Sequence, residues 1–182
     1  TVISGIGFSL LTFTNPGDRI LVFTPVYDPF FHIIRNTDRT LVELPMDEKD
    51  REYTLDFEKV EQEMKNGVKA VIFCSPHNPV GKVWTAQEVE TLVNLCVKYN
   101  VFLLSDEIHG DLTLFDTPFV TAGKFPQIHD RLIVYSAISK TFNMAGLTSS
   151  YMLIPNKENY EKLKEKLDGF WLFGPSELAY PA

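Results

Sequence analysis

The sequence predicts an α/β domain, a mainly parallel sheet sandwiched by helices, and three observations predict it. Short apolar runs rich in β-branched and aromatic residues recur along the chain, at Arg19–Thr24, Val68–Cys74, Val101–Leu104 and Leu132–Tyr135. They are apolar at nearly every position, as strands buried on both faces are. Between them lie segments with apolar residues at i, i+3 and i+4, so strands and helices alternate and the crossovers are right-handed. With 182 residues and 45% hydrophobic content, the chain can bury a proper core as one domain.

Taken in order, Thr1 to Phe13 is apolar and contains Ser4-Gly-Ile-Gly7, read as a turn that presents free backbone N–H groups at the start of a helix, an anion site. Asn15-Pro-Gly-Asp18 is a turn. The strand Arg19–Thr24 ends at Pro25-Val-Tyr-Asp28, and a helix follows from Phe30 and Phe31 through Ile33 and Ile34. Thr40–Pro45 is a further short strand. Asp56 caps a helix that carries Phe57, Val60 and Met64 and stops at Gly67. Val68–Cys74 runs into the proline-locked loop Ser75-Pro-His-Asn-Pro-Val-Gly81. Thr85-Ala-Gln-Glu88 is a capping box, and the helix behind it is expected to bury Val89, Leu92, Val93, Cys96 and Val97. Val101–Leu104 leads to Ser105-Asp-Glu-Ile-His-Gly-Asp111, and Leu132–Tyr135 to Ser136-Ala-Ile-Ser-Lys140. Thr148–Ile154 is a last strand, and Asn156 opens an amphipathic helix through Tyr160, Leu163 and Leu167.

Composition excludes several classes of function. A net charge of −7 without a basic block lacks the electrostatic footprint of a nucleic-acid binder. No apolar run is long enough to span a bilayer. Cys74 and Cys96 fall in buried patterns and read as reduced core thiols of a cytoplasmic protein, and no metal-ligand spacing occurs. His77, Glu107, Asp111 and Trp84 read as local packing or capping residues. Trp171 reads likewise, and Phe170-Trp-Leu-Phe173 asks for a partner surface, as in a piece of a longer protein.

Chemistry gathers where strands end. In open α/β sheets ligands sit outside the carboxyl ends of the strands. Tyr27 offers an aromatic face there, or packs on Phe30 and Phe31. Asn78 offers an amide from a fixed backbone. Asp106, a carboxylate directly after an apolar strand, either caps a helix or is the partner of something positive in the crevice. His109 follows it, and Lys140 is either a loop lysine in water or an amine nucleophilic toward carbonyl groups. With an anion cradle at Ser4 to Gly7, this set matches what a phosphorylated pyridine aldehyde requires.

The chain resembles the pyridoxal-phosphate-dependent aminotransferases of fold type I, and within them the cystathionine β-lyase-like, carbon–sulfur lyase branch. Ser4-Gly-Ile-Gly7, Pro25-Val-Tyr-Asp28, Ser75-Pro-His-Asn-Pro-Val-Gly81, Asp106-Glu-Ile-His-Gly-Asp111 and Ser139-Lys-Thr-Phe-Asn-Met-Ala-Gly146 carry the resemblance. It implies pyridoxal 5'-phosphate as cofactor, with Lys140 as the Schiff-base lysine and Asp106 as partner of the ring nitrogen. Asn78 and His109 would contact the ring oxygen, Tyr27 would stack on the ring, and Ser4, Gly5 and Ile6 would hold the phosphate. Ser136 and Ser139 join the implied cofactor-binding set, since Ala137 stands where the family often has serine. Thr148 replaces an arginine of the aminotransferases.

The resemblance makes residues 1–182 a partial cofactor-binding large domain, without the N-terminal segment and C-terminal small domain, from a protein that is a homodimer when complete. The implied reaction is β-elimination at a sulfur amino acid such as cystathionine or cysteine, to pyruvate, ammonia and a thiol. An aminotransferase that uses an amino acid and a 2-oxo acid is the alternative. A cofactor-sensing domain of a transcription regulator is the rival from another class.

Overall fold

In a computed structural model, residues 1–170 are described. The sheet is built from six strands, of which five are parallel: β1 (Arg19–Thr24), β2 (Thr40–Pro45), β5 (Val68–Cys74), β6 (Phe102–Asp106) and β7 (Leu132–Ser136). β8 (Tyr151–Leu153) closes one side antiparallel to β7, giving the order β2-β1-β5-β6-β7-β8. A polar hairpin of β3 (Asp47–Lys49) and β4 (Glu52–Thr54) stands apart, where no apolar alternation announces it.

Period-two alternation splits each strand between two cores. Leu21, Phe23, Val71, Phe73, Leu103, Leu132 and Val134 face one side, where α3 (Phe57–Lys65) and α4 (Ala86–Tyr99) supply Val60, Met64, Val89, Leu92, Val93 and Cys96. Ile20, Val22, Ile72, Cys74, Leu104, Ile133 and Tyr135 face the other, against Ile6 and Leu10 of α1 (Val2–Phe13) and Phe30 and Ile34 of α2 (Pro29–Asn36). α6 (Lys157–Gly169) adds Leu163 to that side. Burying an aliphatic or aromatic side chain of this kind contributes about 1.5–3 kcal/mol, so both cores are needed to hold the sheet.

The local signals act as expected for most helices. Asp56 accepts from the Glu58 and Lys59 amides, and the Thr85–Glu88 capping box is complete. Val97 departs from expectation: it lies at the edge of the apolar stripe of α4 and is exposed. Of the segment Phe170–Phe173 expected to want a partner surface, Phe170 is exposed with its ring 5.4 Å from that of Phe8, and residues 171–173, Trp171 among them, lie outside the described residues.

α1 corrects the reading of the first glycines. The helix begins at Val2 with Thr1 as its cap, so Ser4-Gly-Ile-Gly7 lies inside it rather than in a turn before it. The glycines serve packing: a Cβ at Gly5 would stand 3.1 Å from Met152 Sδ and 3.2 Å from the Tyr135 ring, and one at Gly7 would stand 2.8 Å from Ile33 Cδ1.

Chain direction changes between β1 and β5. The crossover through α2 carries the chain from β1 outward to β2, and α3 then returns it to β5 on the opposite face. Such a switch point opens a crevice at the carboxyl ends of the strands.

Candidate active site

Three parallel strands end in register. Cys74 of β5 pairs with Asp106 of β6, and Asp106 pairs with Tyr135 of β7. The side chains of Cys74 and Tyr135 share the face that α1 covers, and alternation from Leu104 puts Asp106 on that face too. A cavity of about 120 Å3 lies over these tips, lined by Thr1, Val2, Ile3, Tyr27, Cys74, Asn78, Asp106, Ile108, His109 and Lys140. Five of the ten residues expected from the sequence therefore meet there: Tyr27, Asn78, Asp106, His109 and Lys140.

Asp106 forms the base of the cavity. It is 4% exposed, and its carboxylate accepts the Ile108 N–H at 3.2 Å. Burial pushes the carboxyl up to about 6, a shift that the Ile108 hydrogen bond and Lys140 oppose and neighbouring Glu107 reinforces. Asp106 caps no helix: it accepts the amide of Ile108 two residues on, and Lys140 acts on it through its charge, without an ion pair among the described residues. His109 is held below its ordinary range, first by burial and then by the Lys140 ammonium.

Lys140 reaches the cavity from α5 (Ile138–Thr141), a four-residue helix directly after β7, and it is exposed rather than stripped of solvent. Tyr27 packs as one of its two expected roles has it: 41% exposed and lining the cavity, its ring stands edge-on to Phe30 with centroids 5.7 Å apart. Asn78 hangs from the loop after β5, and its N–H donates to Cys74 Sγ at 3.4 Å. His77 points away from the site as a packing residue, its Nε2 2.9 Å from the Pro25 carbonyl and its ring edge-on to Trp84.

The remaining five expected residues stand outside this cavity. Within α1 the Ser4 amide is taken by the Thr1 hydroxyl at 3.3 Å and the Gly5 amide by the Thr1 carbonyl at 3.0 Å, while Ile6 is wholly buried. The first-turn amides without an intrahelical acceptor are those of Val2 and Ile3, which precede the expected Ser4, Gly5 and Ile6. Ser4 and Gly5 instead line an adjoining groove with Thr148, and Thr1 and Val2 border both spaces. Ser136 and Ser139 are half-buried beside the lysine without lining the cavity.

Thr1, Val2, Ile3, Cys74 and Ile108 line the cavity unannounced. The signal for Cys74 was its place at the end of a fully apolar strand, level with the end of the next; its thiol is pushed up to about 12 by burial and by Asp106. Among the described residues no group of histidine, cysteine, aspartate or glutamate side chains could hold a metal ion, and no helix is long and apolar enough to cross a membrane.

The fold and cavity define a class: a doubly wound α/β domain that sets a lysine and a buried aspartate at neighbouring strand ends. Comparison with known proteins makes the class specific. The chain belongs to the aminotransferase class I and II family, whose model matches residues 3–182. Cystathionine beta-lyase PatB of Bacillus subtilis is 36% identical over 185 residues, covering 100% of this chain and 47% of that protein. The probable kynurenine–oxoglutarate transaminase BNA3 of Saccharomyces cerevisiae is 34% identical over 85% of this chain and 37% of its own length. Cystalysin from Treponema denticola, whose crystal structure contains pyridoxal 5'-phosphate, matches with a TM-score of 0.94 and 37% identity, over 98% of this chain and 46% of that one. The chain thus spans about half the length of the relatives it matches.

Proposed function

We propose that the protein to which this chain belongs uses pyridoxal 5'-phosphate to eliminate the sulfur substituent from an amino acid of the cystathionine or cysteine type, yielding a thiol, pyruvate and ammonia. The observation that carries this reading is the meeting of Lys140, Asp106, Asn78, Tyr27 and His109 in one cavity beside the N-terminus of α1. The donor set fits the cofactor. A buried carboxyl pushed up to about 6 suits a protonated ring nitrogen. An amine suits the aldehyde, and the free first-turn amides of Val2 and Ile3 suit the phosphate. Bound there, the cofactor supplies an aldehyde to carry the amino group and a ring that accepts an electron pair.

The chain's own residues would then divide the work. Asp106 would hold a proton at the ring nitrogen, and Asn78 and His109 would hydrogen-bond the ring oxygen. Tyr27 covers one face of the ring. Lys140 would be the base that removes the proton from Cα. The Cβ–S bond breaks, the sulfur leaves with the electron pair, and the Lys140 ammonium returns the proton to it. Water completes the release of pyruvate and ammonia.

Aminotransfer would use the same residues and differ in where the Cα proton is returned; the 34% identity to the yeast transaminase keeps it as second reading. Elimination is favoured by the similarity to a cystathionine beta-lyase over the whole chain, and by His109 within Asp106-Glu-Ile-His109. Exposed Ile138, Phe142 and Met144 around Lys140 favour a homodimer as the complete protein. Full-length protein supplied with cystathionine is expected to release pyruvate continuously. Half-transamination without pyruvate would overturn the lyase reading in favour of aminotransfer.

A further inference from the structure

The tip of β6 carries a second buried carboxylate. Glu107 follows Asp106 directly, and successive residues of an extended chain point to opposite sides. Asp106 faces the cavity; Glu107 turns toward the rear core and is 6% exposed. There its Oε1 accepts from the Ser105 hydroxyl at 2.8 Å and from the Ala122 N–H at 3.0 Å. Its backbone is engaged as well. The Glu107 N–H donates to the Tyr135 carbonyl at the end of β7, 2.8 Å away, and its carbonyl accepts the Gly110 N–H at 2.9 Å.

One residue thus ties together four places: its own strand, the tip of the neighbouring strand, the turn that contains His109, and the far end of the segment 108–121. That segment needs such a tie. Leu112, Leu114 and Phe115 are exposed, Phe115 and Asp116 both adopt positive φ, and its apolar contacts lie toward its ends, Ile108 and Val120 against the two cores and Phe119 beside Gly110. A charge buried without partners is costly, so a carboxylate kept here must hold something in place. Of the two donors its side chain satisfies, the Ala122 N–H is the one that closes the segment.

We infer that Glu107 is a positioning residue: by closing the segment 108–121 from behind, it sets where His109 stands against Asp106 and Lys140. This rests on the reading of the cavity as the cofactor site, and it names a residue whose side chain never enters that cavity. His109 shares the cavity with Asp106, Lys140, Cys74 and Tyr27, Tyr135 lies on the same face of the sheet, and Glu107 is the titratable group behind the strand tips.

The test uses the full-length protein without cofactor, comparing Glu107→Ala and Glu107→Gln. Hydrogen exchange of amides 108–122 is expected to accelerate at least about tenfold in Glu107→Ala, the loss of a buried acceptor, while amides of β5 and β7 keep their rates. The His109 imidazole, followed by NMR, is expected to titrate higher as the segment opens to water. Glu107→Gln, whose amide oxygen can still accept from Ala122, is expected to restore most of both. Should Glu107→Ala fail to fold, Glu107→Asp is the substitute: it keeps the charge one methylene short of Ala122, and faster exchange confined to 108–122 is expected. Equal acceleration across the strands, or an unmoved His109 titration, would overturn the inference. Cofactor binding by the wild-type protein, read separately from its visible absorbance, decides whether the underlying site reading stands.

Discussion

The tips of β6 and β7 bring the two principal groups of the site, and they do so in opposite ways. Asp106 is the last residue of its strand, buried, anchored by the Ile108 amide and backed by Glu107. Lys140 stands four residues beyond β7, on a single turn of helix, exposed and without a hydrogen bond among the described residues. The acid is fixed by the fold before any ligand arrives, at a cost in desolvation. The lysine is placed but not stabilised by its surroundings, so it costs the fold nothing. A site that must hold a proton at one atom and move one at another needs that division: the holder rigid, the mover free to swing.

The comparison predicts that substitutions at the two tips separate function from stability. Lys140→Ala has the largest expected effect on function, a fall in kcat of at least about a thousandfold in the full-length protein, since a covalent anchor and a base are lost together. Its thermal stability without cofactor is expected to stay within about 0.5 kcal/mol of wild type, as for other exposed positions. Parallel measurement of turnover and melting checks both, and a strongly destabilised variant would show that the lysine is part of the fold after all.

Asp106→Asn comes next, and it should move the two quantities in opposite directions. Turnover is expected to fall by about 10²–10³-fold, as when one preorganised electrostatic group is removed. Stability without cofactor is expected to rise. Burial pushes the folded-state carboxyl up to about 6 against the 3.8 of an ordinary aspartate, so the folded protein binds this proton more tightly than the unfolded one. Stability is therefore lost as pH climbs from about 4 to 6, and the full penalty, roughly 3 kcal/mol for a shift of this size, applies above 6. Asparagine carries no charge to desolvate, so the variant should gain stability above pH 6 and lose the advantage near pH 4. Denaturation curves at pH 4 and pH 8 measure it, and an equal effect at both would contradict the burial argument.

The same contrast governs what could be read from the sequence. Strands buried on both faces advertise themselves by unbroken apolar runs, and β1 and β5 begin and end where the pattern says. Residues tethered to strand ends, Tyr27, Asn78, Asp106, His109 and Lys140, inherit that legibility, because the sheet alone brings them to one edge. The helix that completes the site did not. Ser4-Gly-Ile-Gly7 resembles a turn by composition, yet Thr1 caps the helix first, and Gly5 exists to let α1 approach Tyr135 and Met152. A close approach between distant elements leaves no local signature. Cys74 was hidden for the opposite reason, since a cysteine ending an apolar strand looks like core, and its core packing and its place in the cavity are the same fact.

The smallest expected effect concerns the bond that joins the two tips. Thr141, beside the lysine on α5, donates from Oγ1 to Asp111 Oδ2 at 3.1 Å, across an exposed surface. If the lysine is placed by β7 and left free, this tie matters little: water offers both groups the same partners, and an exposed hydrogen bond contributes a fraction of a kcal/mol. Thr141→Val is then expected to change stability by less than about 0.5 kcal/mol and kcat by less than about tenfold. A drop comparable to that of Asp106→Asn would mean that the lysine is held through Asp111 by the segment Glu107 closes, which would make the β6 tip the organiser of both groups rather than of one.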